Sequence, residues 1–176
     1  DDDGTLREAL ADKDGLVWLD LTVRSEENAS VLRDVFAFHE LTIEDCVSPL
    51  VDPARIDDYG DYLFVIVQAI TGYEPDKEIE PIEVDFYLGH NYVVSCHREP
   101  VPAIELFRQR CQRDERPLRK TPDWALHGLI DSIVDEFLPI VDAVDDTIDE
   151  LEEQILTRPD TSLMRQIVLA KRNALR

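Results

Sequence analysis

Cysteine, glycine and methionine are scarce in this 176-residue chain, and apolar runs are short. The three cysteines, Cys46, Cys96 and Cys111, are irregularly spaced and form no C-x-x-C pair. That excludes a zinc knuckle and a thioredoxin-like site, and the odd count favours reduced, buried thiols. Six glycines leave little room for a phosphate-cradling loop, and neither G-x-x-x-x-G-K-[ST] nor G-x-G-x-x-G occurs. H-E-x-x-H, G-x-S-x-G and a full EF-hand loop are also missing. The best apolar stretch, Tyr62 to Thr71, is about half of the ~20 residues a bilayer requires. No basic-then-apolar signal segment opens the chain. Basic residues are few: 18 Lys and Arg stand against 39 Asp and Glu, a net charge of −21. Such a surface repels nucleic acid and an anionic membrane face, and suits divalent cations, high salt or a basic partner.

What is present reads as a globular α/β chain, 44% hydrophobic and 32% charged. Leu16 to Thr22 reads as a strand after a glycine turn. Ser25-Glu-Glu-Asn28 predicts a helix cap, with Val31, Leu32, Val35 and Phe36 on one face through about Phe38. A second short helix is expected from Thr42 as N-cap, ending at Pro49. Arg55–Tyr59 and Asp61–Ile70 read as a strand pair broken at Gly60. Ile82–Leu88 and Tyr92–Cys96 flank Gly89-His-Asn91, a hairpin signal, and the first strand alternates as if half-buried. After Pro100 and Pro102 the period becomes helical, with Ile104, Phe107 and Cys111 on one face. A charged loop is expected from Asp114 to Lys120.

The strongest periodicity runs from Leu126 through Ile133, Ile140, Val144 and Ile148 to Ile155. It predicts one helix from about Asp123 to Leu156, roughly 50 Å long, kinked near Pro139. Arg158-Pro-Asp160 is the expected break before an antiparallel helix that runs to Arg176 without a stop signal. The expected architecture is an α/β domain with a mixed sheet over residues 1–121, then a long helical hairpin over 122–176. The absence of an initiator Met and of a final helix cap leads us to expect a piece of a longer protein.

Candidate sites come from acidic groups, since His39, His90, His97 and His127 are scattered and read as structural or exposed. Asp145-Asp-Thr-Ile-Asp149 matches D-D-x-x-D, the Mg²⁺-binding pattern of prenyl synthases, in which hard oxygens bridge metal to diphosphate. A solvated helix face accounts better for that cluster in so acidic a chain. Asp131 and Asp135 lie one turn apart beside the apolar stripe, and Glu44-Asp45 lie among Leu41, Ile43 and Val47. Carboxylates at a core edge require a cation or hydrogen bonds.

Trp18-Leu-Asp-Leu21, His39-Glu-Leu-Thr-Ile-Glu-Asp-Cys46 and Arg55-Ile-Asp-Asp-Tyr-Gly-Asp-Tyr-Leu-Phe64 closely resemble the cytoplasmic domain of CorA magnesium/cobalt transporters. Tyr92 to Cys96, Leu129 to Glu136 and Asp145 to Glu153 continue the resemblance in order, with Arg172-Asn173 in the last helix. Glu40 departs from it, standing where the family usually has Pro. The resemblance implies a three-layer α/β/α domain with a mixed sheet, followed by long antiparallel helices. It also implies a homopentamer, a stalk helix and two membrane spans that this chain lacks. The whole protein would then sit in the cell membrane, with this domain on the cytoplasmic side as its sensor, not an enzyme. Regulatory Mg²⁺, or another divalent cation such as Co²⁺, is then expected between subunits, with Asp45 and Glu44 as ligands and Asp131 as a secondary contact. Two alternatives stand beside it: a zinc transporter of the same superfamily, and a soluble Mg²⁺-dependent enzyme using Asp145–Asp149. The acidity also suits a halophilic protein.

Overall fold

The computed structural model describes residues 2–25, 27–114, 120–157 and 161–174. Its centre is a pair of β-rich segments, β3 (Leu63–Ala69) and β4 (Ile82–Leu88), paired antiparallel from Leu63↔Leu88 to Ala69↔Ile82. β5 (Tyr92–His97) returns from β4 through Gly89-His-Asn91, where Gly89 N donates to Tyr92 O at 3.0 Å. A Cβ at Gly89 would lie 2.1 Å from Cζ of Tyr92, so only glycine lets that ring lie over the turn. β2 (Arg55–Asp58) pairs antiparallel with β3 across a turn in which Gly60 takes φ +84°. β1 (Val17–Thr22) runs parallel to β5, giving the mixed order β1-β5-β4-β3-β2. The hairpins supply the antiparallel pairs; the parallel pair needs the long crossover that β2, β3 and β4 themselves occupy.

Period-two alternation sends side chains to two cores. Val65, Val84, Phe86 and Val93 face α4 (Pro102–Arg113) and α5 (Pro122–Asp135), meeting Ile104, Phe107, Leu129 and Ile133. Phe64, Ile66, Tyr87, Val94 and Cys96 face the opposite way. They are covered by Leu32 of α2 (Ser30–Asp34), by Phe38, and by Ile43 and Cys46 of α3 (Glu40–Val47). Phe38 stacks on Tyr87 with ring centroids 3.9 Å apart. The result is the three-layer α/β/α arrangement with a mixed sheet. All three cysteines are free and buried, and burial pushes the Cys46 thiol up, which keeps it protonated and inert.

The long helical signal is present but divided. α5 stops at Asp135, and α6 (Phe137–Thr157) starts after Glu136. Pro139 has no N–H for the Asp135 carbonyl, so the ladder fails at that residue. Glu136 N donates to Ile133 O at 3.3 Å instead, a tighter turn at the expected kink. α7 (Thr161–Ala174) packs Leu163, Ile167 and Ala170 against Ile148 and Leu151 of α6. The expected break at 158–160 and the core of the expected loop, 115–119, lie outside the described residues. Asn173 ties α7 to the β3–β4 connection: its Oδ1 accepts from Ile79 N and its Nδ2 donates to Lys77 O, both at 3.0 Å. Among the described residues no helix is long and apolar enough to cross a membrane.

Three local expectations differ from the structure. The helix expected from Ser25 is only α2, five residues long, because Ser25 Oγ bonds Asn28 Oδ1 at 3.0 Å in a turn and Ala37 turns to φ +53°. α3 begins at Glu40, not after Thr42. His39 is its N-cap, with Nδ1 accepting from Leu41 N at 3.2 Å, while the Thr42 hydroxyl donates back to His39 O. Glu40 holds the first helical position, which Pro would also suit, and it binds Arg33 at 2.7 and 2.9 Å. A further helix, α1 (Asp2–Ala11), precedes β1 and is anchored by Asn91 Nδ2, which donates to Leu10 O and Asp12 O.

Candidate functional site

Asp45 occupies the last turn of α3, where Ser48 N closes the helix by donating to Glu44 O and Asp45 O. Its carboxylate receives Arg55 Nη2 at 2.7 Å. Arg55 opens β2 and is shared: Nε reaches Asp57 at 2.9 Å and Nη1 reaches Asp52 at 3.3 Å. Three carboxylates therefore depend on one guanidinium. Burial pushes the Asp45 carboxyl up and Arg55 pulls it down. With Asp52 and Glu44 also pushing up, the net shift is upward. The cluster is short of positive charge, and its donors are all hard oxygens, the chemistry that suits Mg²⁺.

Glu44 projects to solvent beside this cluster, and Asp131 is exposed on α5. The structure does not bring Asp131 to Asp45. α3 lies on one face of the sheet and α5 on the other, so one chain cannot close a site from both. Among the described residues no group of three or more His, Cys, Asp or Glu side chains is placed to hold a metal ion. A metal on Asp45 and Glu44 would need water or another chain to complete its shell. Asp145, Asp146 and Asp149 are exposed on α6, as expected for a solvated helix face.

Two charged groups escaped the sequence reading. Asp20 on β1 is 11% exposed in its side chain and accepts from Ser95 Oγ and Arg108 Nη2. His97 Nε2 lies 3.3 Å away, and Trp18 Nε1 donates to Ser95 Oγ at 3.1 Å. Burial pushes the Asp20 carboxyl up, but His97, Ser95 and Arg108 outweigh it and hold the group below its ordinary value. Asp85 on β4 is 3% exposed, and its Oδ1 has no hydrogen-bond partner. Burial, then the charge of Glu83, pushes its carboxyl well up. Trp18-Leu-Asp-Leu21 carried a hint of the first group, since an Asp between two leucines in a strand requires a partner. Nothing local marked the second.

The family model described as CorA-like Mg²⁺ transporter protein matches residues 13–176. The chain belongs to the CorA-like Mg²⁺ transporter family. It is 31% identical to YfjQ of Bacillus subtilis over 150 residues, 85% of this chain and 46% of that protein. It is 26% identical to the cobalt/magnesium transport protein CorA of Thermotoga maritima over 158 residues, 89% of this chain and 45% of that protein. The chain thus spans just under half the length of these curated relatives. Its fold matches the soluble domain of CorA from Methanocaldococcus jannaschii at a TM-score of 0.72, with 17% identity, 91% of this chain and 63% of that one covered. The ZntB cytoplasmic domain from Vibrio parahaemolyticus matches at 0.69, with 16% identity, 90% of this chain and 61% of that one covered. CorA-like transporters are not enzymes, which removes the Asp145–Asp149 diphosphate reading.

Proposed function

We propose that this CorA-family domain is the cytoplasmic Mg²⁺-sensing part of a homopentameric divalent-cation transporter in the cell membrane. Asp45 and Glu44 of one subunit face the neighbouring subunit, and Asp131 makes the secondary metal contact. The observation that carries the reading is the Asp45 cluster itself: three carboxylates on one guanidinium, half-buried at the end of α3. The placement of α3 and α5 on opposite faces supports it, because adjacent copies in a ring can meet where one chain cannot. With every chain carrying −21, carboxylates of adjacent copies repel. Mg²⁺ between them, keeping several waters and taking one or two carboxylates, offsets that repulsion and favours the closed ring. When cytosolic Mg²⁺ falls, the carboxylates push the subunits apart and the pore-open state gains population.

The test is limited proteolysis of the whole transporter across a Mg²⁺ series, beside Asp45→Ala. The expected result is Mg²⁺-dependent protection that Asp45→Ala shifts to higher Mg²⁺. Identical protection curves would remove Asp45 from the sensor. A zinc transporter is the second reading, supported by a likeness to the ZntB domain that nearly equals the likeness to the CorA domain. Zn²⁺ and Mg²⁺ flux measured side by side in vesicles separates the two.

A further inference from the structure

At the end of the sheet opposite the β4–β5 hairpin turn, the start of β4 and the segment after β5 enclose a cavity of about 320 Å³. Glu80, Glu83, Asp85 and Glu99 line it, with Arg98 and His97 as its basic side chains among the described residues. Arg98 is already engaged, donating to the Val47 carbonyl. The wall is therefore strongly acidic, and one of its carboxyls is unlike a surface acid. Asp85 is 3% exposed, and its Oδ1 meets no donor. An orphaned buried carboxyl oxygen is costly, so a natural core retains one where something else satisfies it.

We propose that this cavity is a cation site within a single protomer, taking a hydrated divalent ion through Asp85 and Glu83. Glu83 stands two residues from Asp85 on the same face of β4, and its Oε2 accepts from Asp52 N. No ready-made chelate of three side chains exists among the described residues. A carboxylate pair in a roomy cavity fits an ion that keeps most of its own water, as Mg²⁺ and Mn²⁺ do. At about 30 Å³ per water, the volume holds the ion with its first shell. The hard oxygens of the wall argue against a thiophilic ion, although Cys46 closes the inner end. This site is distinct from the Asp45 cluster, and its occupancy requires no second subunit. The two share Asp52, which donates its N–H to Glu83 and gives its carboxylate to Arg55.

Mn²⁺ is the probe, added in substoichiometric amounts to the ¹⁵N-labelled 176-residue chain in high salt. Paramagnetic broadening is expected first at the amides of Ile82–Asp85 and His97–Glu99, reversed by excess Mg²⁺. Asp85→Asn and Glu83→Gln should each abolish that broadening, while Asp45→Asn leaves it in place. Glu83 is less buried than Asp85, so Glu83→Gln keeps the test valid should Asp85→Asn fail to fold. Broadening that Asp45→Asn removes, or that is spread evenly over the acidic surface, would overturn the site. Persistence of the broadening in Glu83→Gln and Asp85→Asn would overturn it equally. Failure of the Asp45 reading leaves this outcome untouched, because the Asp45→Asn arm reports on that cluster separately.

Discussion

Replacing Asp20 tests the best-defined charged network of the domain. Its carboxylate lies under α4 and accepts from Ser95 and Arg108, with His97 Nε2 at 3.3 Å. Asp20→Ala strips all three partners at once. Arg108 is 40% exposed and regains water, so its share of the loss is small. His97 is 7% exposed, and its Nδ1 already has no partner, so both ring nitrogens would then be buried without one. Leaving a buried polar group without its partner costs about 1–3 kcal/mol, and both His97 and the Ser95 hydroxyl lose theirs, so a loss of about 3 kcal/mol is expected. For a chain of this size about 3 kcal/mol lowers Tm by roughly 6–12 °C. Asp20→Asn keeps an oxygen for Ser95 and should cost less, and Arg108→Ala about 1 kcal/mol. Urea unfolding followed by tryptophan fluorescence measures all three, since Trp18 touches the network.

The pH dependence has a fixed sign. Asp20 titrates below its ordinary value of 3.8 in the folded chain, so the folded state binds fewer protons than the unfolded one around that pH. Its stabilisation is complete above the unfolded value and is lost as pH falls through the lower folded value. The gap between wild type and Asp20→Asn should therefore narrow as pH falls below about 4. A gap that widens as pH falls below about 4, or an Asp20→Ala loss below about 1 kcal/mol, would refute the reasoning.

Three further outcomes are expected. Arg55→Ala removes the one cation shared by Asp45, Asp52 and Asp57, and should cost roughly 1 kcal/mol at low salt and less at high salt, read by urea titration. Asn173→Ala removes two hydrogen bonds to the β3–β4 connection; amide exchange at Ile79 should accelerate while exchange in β4 and β5 stays slow. Phe38→Ala withdraws the ring stacked on Tyr87 in a fully covered core and should cost about 3–5 kcal/mol in thermal unfolding.

Much of the framework was written locally. Gly89-His-Asn91 set the β4–β5 hairpin, Gly60 set the β2–β3 turn, and the 3.6-residue period marked α4 to α6 with the kink ahead of Pro139. Each of these depends on neighbours within a few residues. Asp85 did not follow the pattern. Alternation along Ile82–Leu88 suggested a polar, solvated face, yet α3 covers that face and buries the carboxyl. The partners of Asp20 lie 75 to 88 residues away, and no local rule joins them. α3 took its cap from the His39 ring because Thr42, the expected cap, turned its hydroxyl back to a carbonyl. The resemblance pointed to Glu44, Asp45 and Asp131 as ligands. The structure adds that Arg55 already shares Asp45, so any metal there competes with a guanidinium at 2.7 Å.

That competition makes the sensing role measurable at its source. The most direct measurement is Mg²⁺ flux through the whole transporter in vesicles as internal Mg²⁺ is raised, for wild type and Asp45→Asn. Flux in the wild type should shut down as internal Mg²⁺ rises, and Asp45→Asn should stay open at concentrations that close it. Closure of both at the same internal Mg²⁺ would contradict the assignment of this acidic cluster as the gate's sensor.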